Sequence, residues 1–183
     1  VTITSSAATL GGTSTATLTF TLGQASTDFV SGDVDVTGGT LSATSGTGLS
    51  RTATFTPTAS TGGTGSISVT GANYSDLAGN TGSNANSATI NIDTAAPTIT
   101  SLALNTAGST GLLSSTFNAG DLAAVAVVFS EAITVDITGG VPTLSMTIGT
   151  TLVTADYVSG SGTTTLLFKY TILAGQTDTD GIS

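Results

Sequence analysis

Between Ser14 and Leu22 the chain reads STATLTFTL, with Ala16, Leu18, Phe20 and Leu22 alternating with polar residues. A period of two sends successive side chains to opposite faces of an extended strand, so the stretch predicts a strand with one apolar and one threonine-lined face. The pattern returns in RTATFTPT with Ala53 and Phe55, in GSISVTG with Ile67 and Val69, and in SATINID with Ile90 and Ile92. Threonine is β-branched and tolerates water, which makes a half-buried antiparallel sheet the natural reading. Gly-rich turns separate these runs at roughly 10 to 15 residues, the organisation of a sandwich and not of a βα fold. The first half of the chain carries no helical period.

An internal repetition marks a boundary. VTITSSA at Val1 returns as TITSLA after Pro97, aligning Ile3-Thr4-Ser5 with Ile99-Thr100-Ser101 at an offset of 96 (99 − 3). The strand ending TFTL at Leu22 is echoed by VAVVFSEAITV from Val125. Two tandem modules are expected, residues 1–94 and 95–183, with the junction at Asp93 to Pro97. On this alignment FTLGQAS stands against FSEAITV, with Gln24 at the place of Glu131. The second module runs through PTLSMTIG, TADYVSG, TTTLLFKYTI and AGQTDTDGIS, and nothing in it corresponds to the AGN turn and the closing SATINID strand. The expectation is an all-β chain whose second sandwich is incomplete at its C-terminus, either cut short or finished by a strand from another chain.

Composition narrows the function. Gly, Ser and Thr are abundant and only 7% of residues are charged, but 38% are hydrophobic and fall in ordered alternation, which separates the chain from a disordered linker. Eleven acidic residues, all aspartate except Glu131, face one arginine, Arg51, and one lysine, Lys169, for a net charge of −9. A nucleic-acid binder needs the opposite balance. Without histidine or cysteine the usual general bases, activated nucleophiles and thiolate metal sites are absent, so no enzymatic activity is expected. Tyr74, Tyr157 and Tyr170 are few for a sugar-stacking site. No run approaches the roughly 20 apolar residues of a membrane helix, and the chain opens in a strand pattern with no leader. Secretion is expected to be encoded elsewhere in a longer protein.

The segment TATFTPTASTGGTGSISVTGANYSDLAGNTGSNANSATINIDTAAPTI resembles the end of a bacterial immunoglobulin-like repeat from giant surface and type I-secreted adhesins. The shared features are F-T-P before a turn, D-x-A-G-N, a closing strand and D-T-x-A-P-T. The second module, with VVFSEAITV and TDTDGIS, is similar to a related adhesin repeat. The resemblance implies tandem immunoglobulin-like β-sandwiches, an extracellular or cell-surface location and calcium bound where modules meet.

The residues argue for calcium independently. The ion takes six to eight oxygen ligands, and an acidic surface almost free of basic residues suits it. Asp76 and Asn80 lie in the turn before the closing strand, Asp93 ends that strand, and Glu131 follows a strand of the next module; these four are the candidate metal ligands. One strand traversal separates Asp76 from Asp93, so the loop after Gly79 is expected to carry the chain to the other pole before the closing strand begins, leaving Asp93 at the junction beside Glu131 or Asp121. Carboxylates gathered there repel one another unless a cation neutralises them. The competing reading is that Asp76 closes an Asx-turn and Asp93 simply ends a strand. Asp178 and Asp180 match part of a calcium loop, with a solvated turn as the alternative. Asp33 and Asp35 are expected on one face of an edge strand, guarding it with charge.

Two functions use this fold. One is a spacer of calcium-stiffened sandwiches that extends an adhesin from the cell, with neighbouring repeats of the same chain as its partners. The other is a subunit of an extracellular fibre or surface layer, in which identical chains exchange strands. Neither involves nucleic acid or membrane insertion.

Overall fold

The computed structural model describes residues 1–86, 89–111 and 116–176, and the expected calcium-loop residues Asp178 and Asp180 lie outside them. The chain divides into two compact units, Val1–Ala96 and Pro97–Ser183. Strands dominate both, and the described residues include no α-helix.

Unit 1 is a sandwich of two sheets. The first has the order β1 (Thr2–Ser5), β3 (Ala16–Thr21), β6 (Ser50–Pro57) and β5 (Gly39–Leu41), all antiparallel. The second has the order β2 (Thr9–Gly11), β9 (Ile90–Asp93), β7 (Gly62–Val69) and β4 (Val34–Thr37), with the short β8 (Ala85–Asn86) also on β7. β2 and β9 run parallel; the other pairs are antiparallel. The alternation seen in the sequence supplies the core. Ala16, Leu18, Phe20 and Leu22 are buried, as are Ala53 and Phe55 of β6, Ile67 and Val69 of β7 and Ile90 and Ile92 of β9. Apolar faces of both sheets thus remove each other from water, the main stabilising term in such a fold.

The chain changes sheets between β4 and β5 through Gly38 alone. Gly38 has φ of +75°, and a Cβ there would lie 2.9 Å from both the Gly65 Cα and the Ile92 Cδ1. Handedness and the close approach of β7 both demand glycine. Buried Arg51, on the same face of β6 as Ala53 and Phe55, donates to the carbonyls of Gly48, Ser50 and Ser26, which ties the segment entering β6 to the loop after β3 at one end of the sandwich.

Unit 2 is one antiparallel five-stranded sheet, in the order β10 (Ile99–Leu104), β11 (Leu122–Ile133), β14 (Thr163–Thr171), β13 (Thr151–Ser159) and β12 (Thr143–Ile148). Its core gathers Val125, Val127, Met146, Ile148, Val153, Leu166 and Phe168, with Phe117, Phe129 and Tyr170 packed against them. On the opposite face of the sheet, Lys169 stands across from Asp156. The internal repeat is visible in the pairing: Ile3 stands opposite Phe20 in unit 1 and Ile99 opposite Phe129 in unit 2. The orders β1-β3-β6-β5 and β10-β11-β14-β13 correspond strand for strand. With Phe20 matched to Phe129, two residues further on Leu22, not Gln24, stands at the position of Glu131. Leu22 is a buried core residue, whereas Gln24 lies in the loop beyond it.

Two expectations follow. Replacing Gly38 with alanine is expected to destabilise unit 1 by about 1–3 kcal/mol, because both the backbone angle and the Ile92 methyl must yield; a denaturant midpoint unchanged from wild type would contradict the packing. Arg51 is buried and Lys169 lies half-buried within a central strand. The native chain should therefore resist trypsin, and under rising denaturant a cut after Arg51 reports the opening of unit 1 and a cut after Lys169 that of unit 2. Prompt cleavage of the native protein at either residue would contradict these placements.

Candidate functional site

Chemistry-bearing side chains concentrate in the loops at one end of unit 1. After β7 the chain makes a short 3-10 turn, Gly71–Asn73, and then places Tyr74, Ser75 and Asp76 in succession. Tyr74 is buried, edge-on to Phe29 with ring centroids 5.2 Å apart. Its hydroxyl donates to the Ser83 carbonyl at 3.2 Å and accepts from the Ser83 amide at 3.1 Å. A Cβ on Gly82 would lie 2.1 Å from the Tyr74 ring, so only glycine lets the loop lie flat on it.

Asp76 and Asn80 come together in this loop. The Asp76 carboxylate accepts from the Ala78 amide at 2.9 Å, the Asn80 amide at 2.8 Å and the Asn80 side-chain nitrogen at 2.9 Å. Hydrogen bonding from the Asn80 side chain, reinforced by its backbone, holds the Asp76 carboxyl below its ordinary value. These bonds describe an Asx-type turn closed upon its own carboxylate, and they account for both residues without an ion. Beside them opens a cleft of about 380 Å³ lined by Gln24, Tyr74, Asp76, Asn80 and Thr81 among others.

Asp28 is the residue that sequence reasoning passed over. Its carboxylate accepts from the Ser26 hydroxyl at 2.6 Å and from the Ser75 hydroxyl at 2.7 Å, and it is also bonded to the Ser75 amide. The serine hydroxyls, that of Ser26 first, lower its pKa to about 2. Asp28 thereby fastens the loop after β3 to the loop after β7, across 47 residues of sequence. The Ser-Thr-Asp run of residues 26–28 is the local signal for such a side-chain turn; the distant partner Ser75 has none.

Asp93 is elsewhere. It is exposed at the end of β9, paired with Gly62, whereas Asp76 follows the Val69 end of β7. The two are thus separated by the length of β7, about 23 Å for seven residue steps. The traversal is made by the strand itself: β8 pairs Ala85 with Val69 at the Asp76 end, and β9 then runs to the other. The expectation that the Asn/Gly loop makes this journey is therefore corrected; β8 and β9 take β7 as their partner at the two ends of the journey, and a free loop would leave that backbone unpaired. Thr94 also belongs to unit 1, since its amide donates to the Thr61 carbonyl and its hydroxyl to the Thr58 carbonyl at 2.7 Å. The link between the units therefore begins at Ala95.

In unit 2, Glu131 lies within β11, in the stretch where pairing with β14 slips between Val128 and Ile133, and not after the strand as expected. Its neighbour Ser130 bonds Thr98 twice, accepting the Thr98 amide on its hydroxyl and donating its own amide to the Thr98 carbonyl. Asp121 precedes β11 at the opposite end from Glu131 and caps Asn118. Among the described residues, no three His, Cys, Asp or Glu side chains gather as a metal cage. Asp33 closes the turn Ser31–Asp33 and accepts the Val30 amide, so it is not on the strand; Asp35 alone sits on the edge strand β4, accepting from Thr70.

A depressed carboxylate pKa stabilises the folded state above the unfolded value, near 3.9, and that stabilisation is lost as pH falls through the folded value. Unit 1 is therefore expected to lose melting temperature between about pH 4 and pH 2. Asp28→Asn should melt lower at neutral pH and show a shallower acid slope. A wild-type melting temperature constant down to pH 2 would contradict the Asp28 network.

The sequence model of the bacterial Ig-like domain matches residues 1–92, which span unit 1 through Ile92 of β9. No curated protein and no solved structure was found to match the chain. The paired sheets of unit 1, its parallel β2–β9 contact and this match lead to one conclusion: the chain belongs to the bacterial Ig-like domain family.

Proposed function

We propose that the chain is a non-catalytic structural spacer of an extracellular bacterial surface protein or adhesin, stiffened by calcium at the joint between its units. The observation that carries this reading is the placement of Asp93 and Glu131. Asp93 is the last residue of β9, one position before the anchored Thr94, and Glu131 adjoins Ser130, which anchors Thr98. Carboxylates therefore flank both attachments of the link Ala95–Pro97. Pro97 fixes its own φ and biases Ala96 to an extended conformation, so few rotations remain for an ion to restrain. The threonine-rich, sparsely charged outer faces of the strands and the lack of histidine and cysteine fit a role in spacing and not in chemistry. Among the described residues no helix is long and apolar enough to cross a membrane.

A second reading, a fibre or surface-layer subunit joined by strand exchange between identical chains, is favoured by one feature, the outer edges of β10 and β12, which have no strand partner among the described residues. A mass that rises with protein concentration supports it, and a monomer at every concentration removes it.

Extracellular modules bind calcium with dissociation constants near 0.1–1 mM, and calcium at about ten times that constant adds roughly 1.4 kcal/mol. Millimolar calcium is expected to raise the melting temperature by a few degrees over chelator, with the rise lost in Asp93→Ala and in Glu131→Gln. Identical melting curves with calcium and with chelator would remove the ion from the account and leave the spacer. A rise that survives both substitutions but is lost in Asp76→Ala would move the ion to the loop end of unit 1.

A further inference from the structure

In unit 1, β2 and β9 are parallel, with Thr9 opposite Asn91, Leu10 opposite Ile92 and Gly11 opposite Asp93, while the other strand pairs of the unit are antiparallel. The Asn91 amide donates to the Ala8 carbonyl at 2.9 Å and the Gly12 amide to the Asp93 carbonyl at 3.3 Å, so Asn91 and Asp93 turn their backbone groups to β2. By the alternation of a strand, Ile90 and Ile92 turn theirs to β7. β2 lies near the start of unit 1 and β9 closes it. The parallel pair thus ties the first part of the unit directly to the last.

Those two parts lie at opposite poles. Thr2 of β1 stands opposite Thr21, at the end of β3 whose following loop Asp28 fastens to Ser75, whereas Asp93 lies at the other pole. β1 therefore runs from the loop pole towards the Asp93 pole, and β2, being parallel to β9, runs the same way. A pull between Val1 and Thr94 draws β1 and β2 towards the loop pole and β9 away from it, each along its own axis. β2 must slide against β9, β1 against β3 and β9 against β7. Ladder hydrogen bonds lie across the strands, so sliding strains all of them together, while a pull across the strands opens them singly from one end. Thr94 adds to the grip: its hydroxyl donates to the Thr58 carbonyl at 2.7 Å and accepts the Thr61 amide at 3.1 Å, and its amide donates to the Thr61 carbonyl at 2.8 Å.

We propose that the β2–β9 pair is a mechanical clamp, through which unit 1 withstands tension along the line from Val1 to Thr94 far better than tension across its strands. The clamp deepens the spacer reading and rests on it, because a spacer that holds a surface to a cell is pulled end to end. Resistance of this kind is a property of the unfolding barrier along one direction and not of the folding free energy, since forced unfolding follows the unfolding rate. Contacts in the core that leave the β2–β9 bonds intact change stability without setting the force. The bond from Asn91 to Ala8 lies inside the clamp, and Val69, buried on β7, lies outside it.

The chain has no cysteine, so pairs of introduced thiols give site-specific handles for single-molecule pulling on the full chain. Val1→Cys with Ala95→Cys pulls β2 and β9 past each other; Thr13→Cys with Ala95→Cys, both exposed and both beside the Gly12–Asp93 bond, pulls the same strands apart sideways. At one pulling speed the first geometry is expected to unfold unit 1 at a force at least about twofold higher than the second. Asn91→Pro, which removes the amide bonded to Ala8, should lower the force in the first geometry and leave the second nearly unchanged. Val69→Ala should lower the denaturant midpoint by opening a cavity while the difference between the geometries persists. Equal forces in the two geometries would overturn the clamp, and this comparison stands even if Asn91→Pro does not fold. So would a Val69→Ala chain that loses as much force in the first geometry as Asn91→Pro does. The spacer reading fails on a different result, self-association of the chain in solution, which leaves the two pulling forces as they are.

Discussion

An apolar strand face needs a second layer, and the organisation of this chain follows from how each unit meets that need. In unit 1 the Ile3–Phe20 pair, Leu18 and Phe55 lie beneath Ile67, Val69, Ile90 and Ile92, and all are buried. At about 25 cal/mol per Å² of apolar surface, this mutual covering is the dominant favourable term for a domain without disulfides. The crossing at Gly38, the parallel β2–β9 contact and the return of the chain along β7 all bring the second sheet over the first. Unit 2 repeats the first sheet strand for strand, and β10 keeps its apolar side chains in water.

Charge has a different task. Carboxylates are scarce, and several act as local fasteners: Asp28 between loops, Asp76 within its turn, and Asp136 on Thr138, each with its pKa lowered by the bonds it accepts. Arg51, the single arginine, has its guanidinium on loop carbonyls. Ends of sheets leave backbone groups unpaired, and a few buried or bonded ionic groups organise the loops that satisfy them. In unit 1 this separates a loop-bearing pole, fastened by side chains, from the pole of Asp93, where the chain leaves for unit 2.

Strand faces were legible in the sequence because the period of two is imposed by the backbone itself. Ala16, Leu18, Phe20 and Leu22 could be assigned inward from their spacing alone, and so could Ile67, Val69, Ile90 and Ile92. Equivalences drawn through loops were less legible. Counting forward from TFTL suggested Gln24 against Glu131, whereas the Ile–Phe pairing puts Leu22 there, since register is set by the partner strand and not by loop spacing. The role of Asp28 was hidden because its partner Ser75 is distant in sequence. The sequence boundary at residue 94 already put Thr94 in the first module, but the contact that fastens it runs to the Thr58–Thr61 turn, and no local pattern announces that contact.

The central claim is that the same strand pair is sealed in unit 1 and open in unit 2. Native-state hydrogen exchange, resolved by residue, tests it most directly. The account predicts that amides of β3, β6 and β7 exchange only with global unfolding of unit 1, while the outward-facing amides of β10 and β12 exchange orders of magnitude faster than those of β11 and β14. Equal protection of β10, β12 and the central strands of unit 2 in the isolated chain would contradict it.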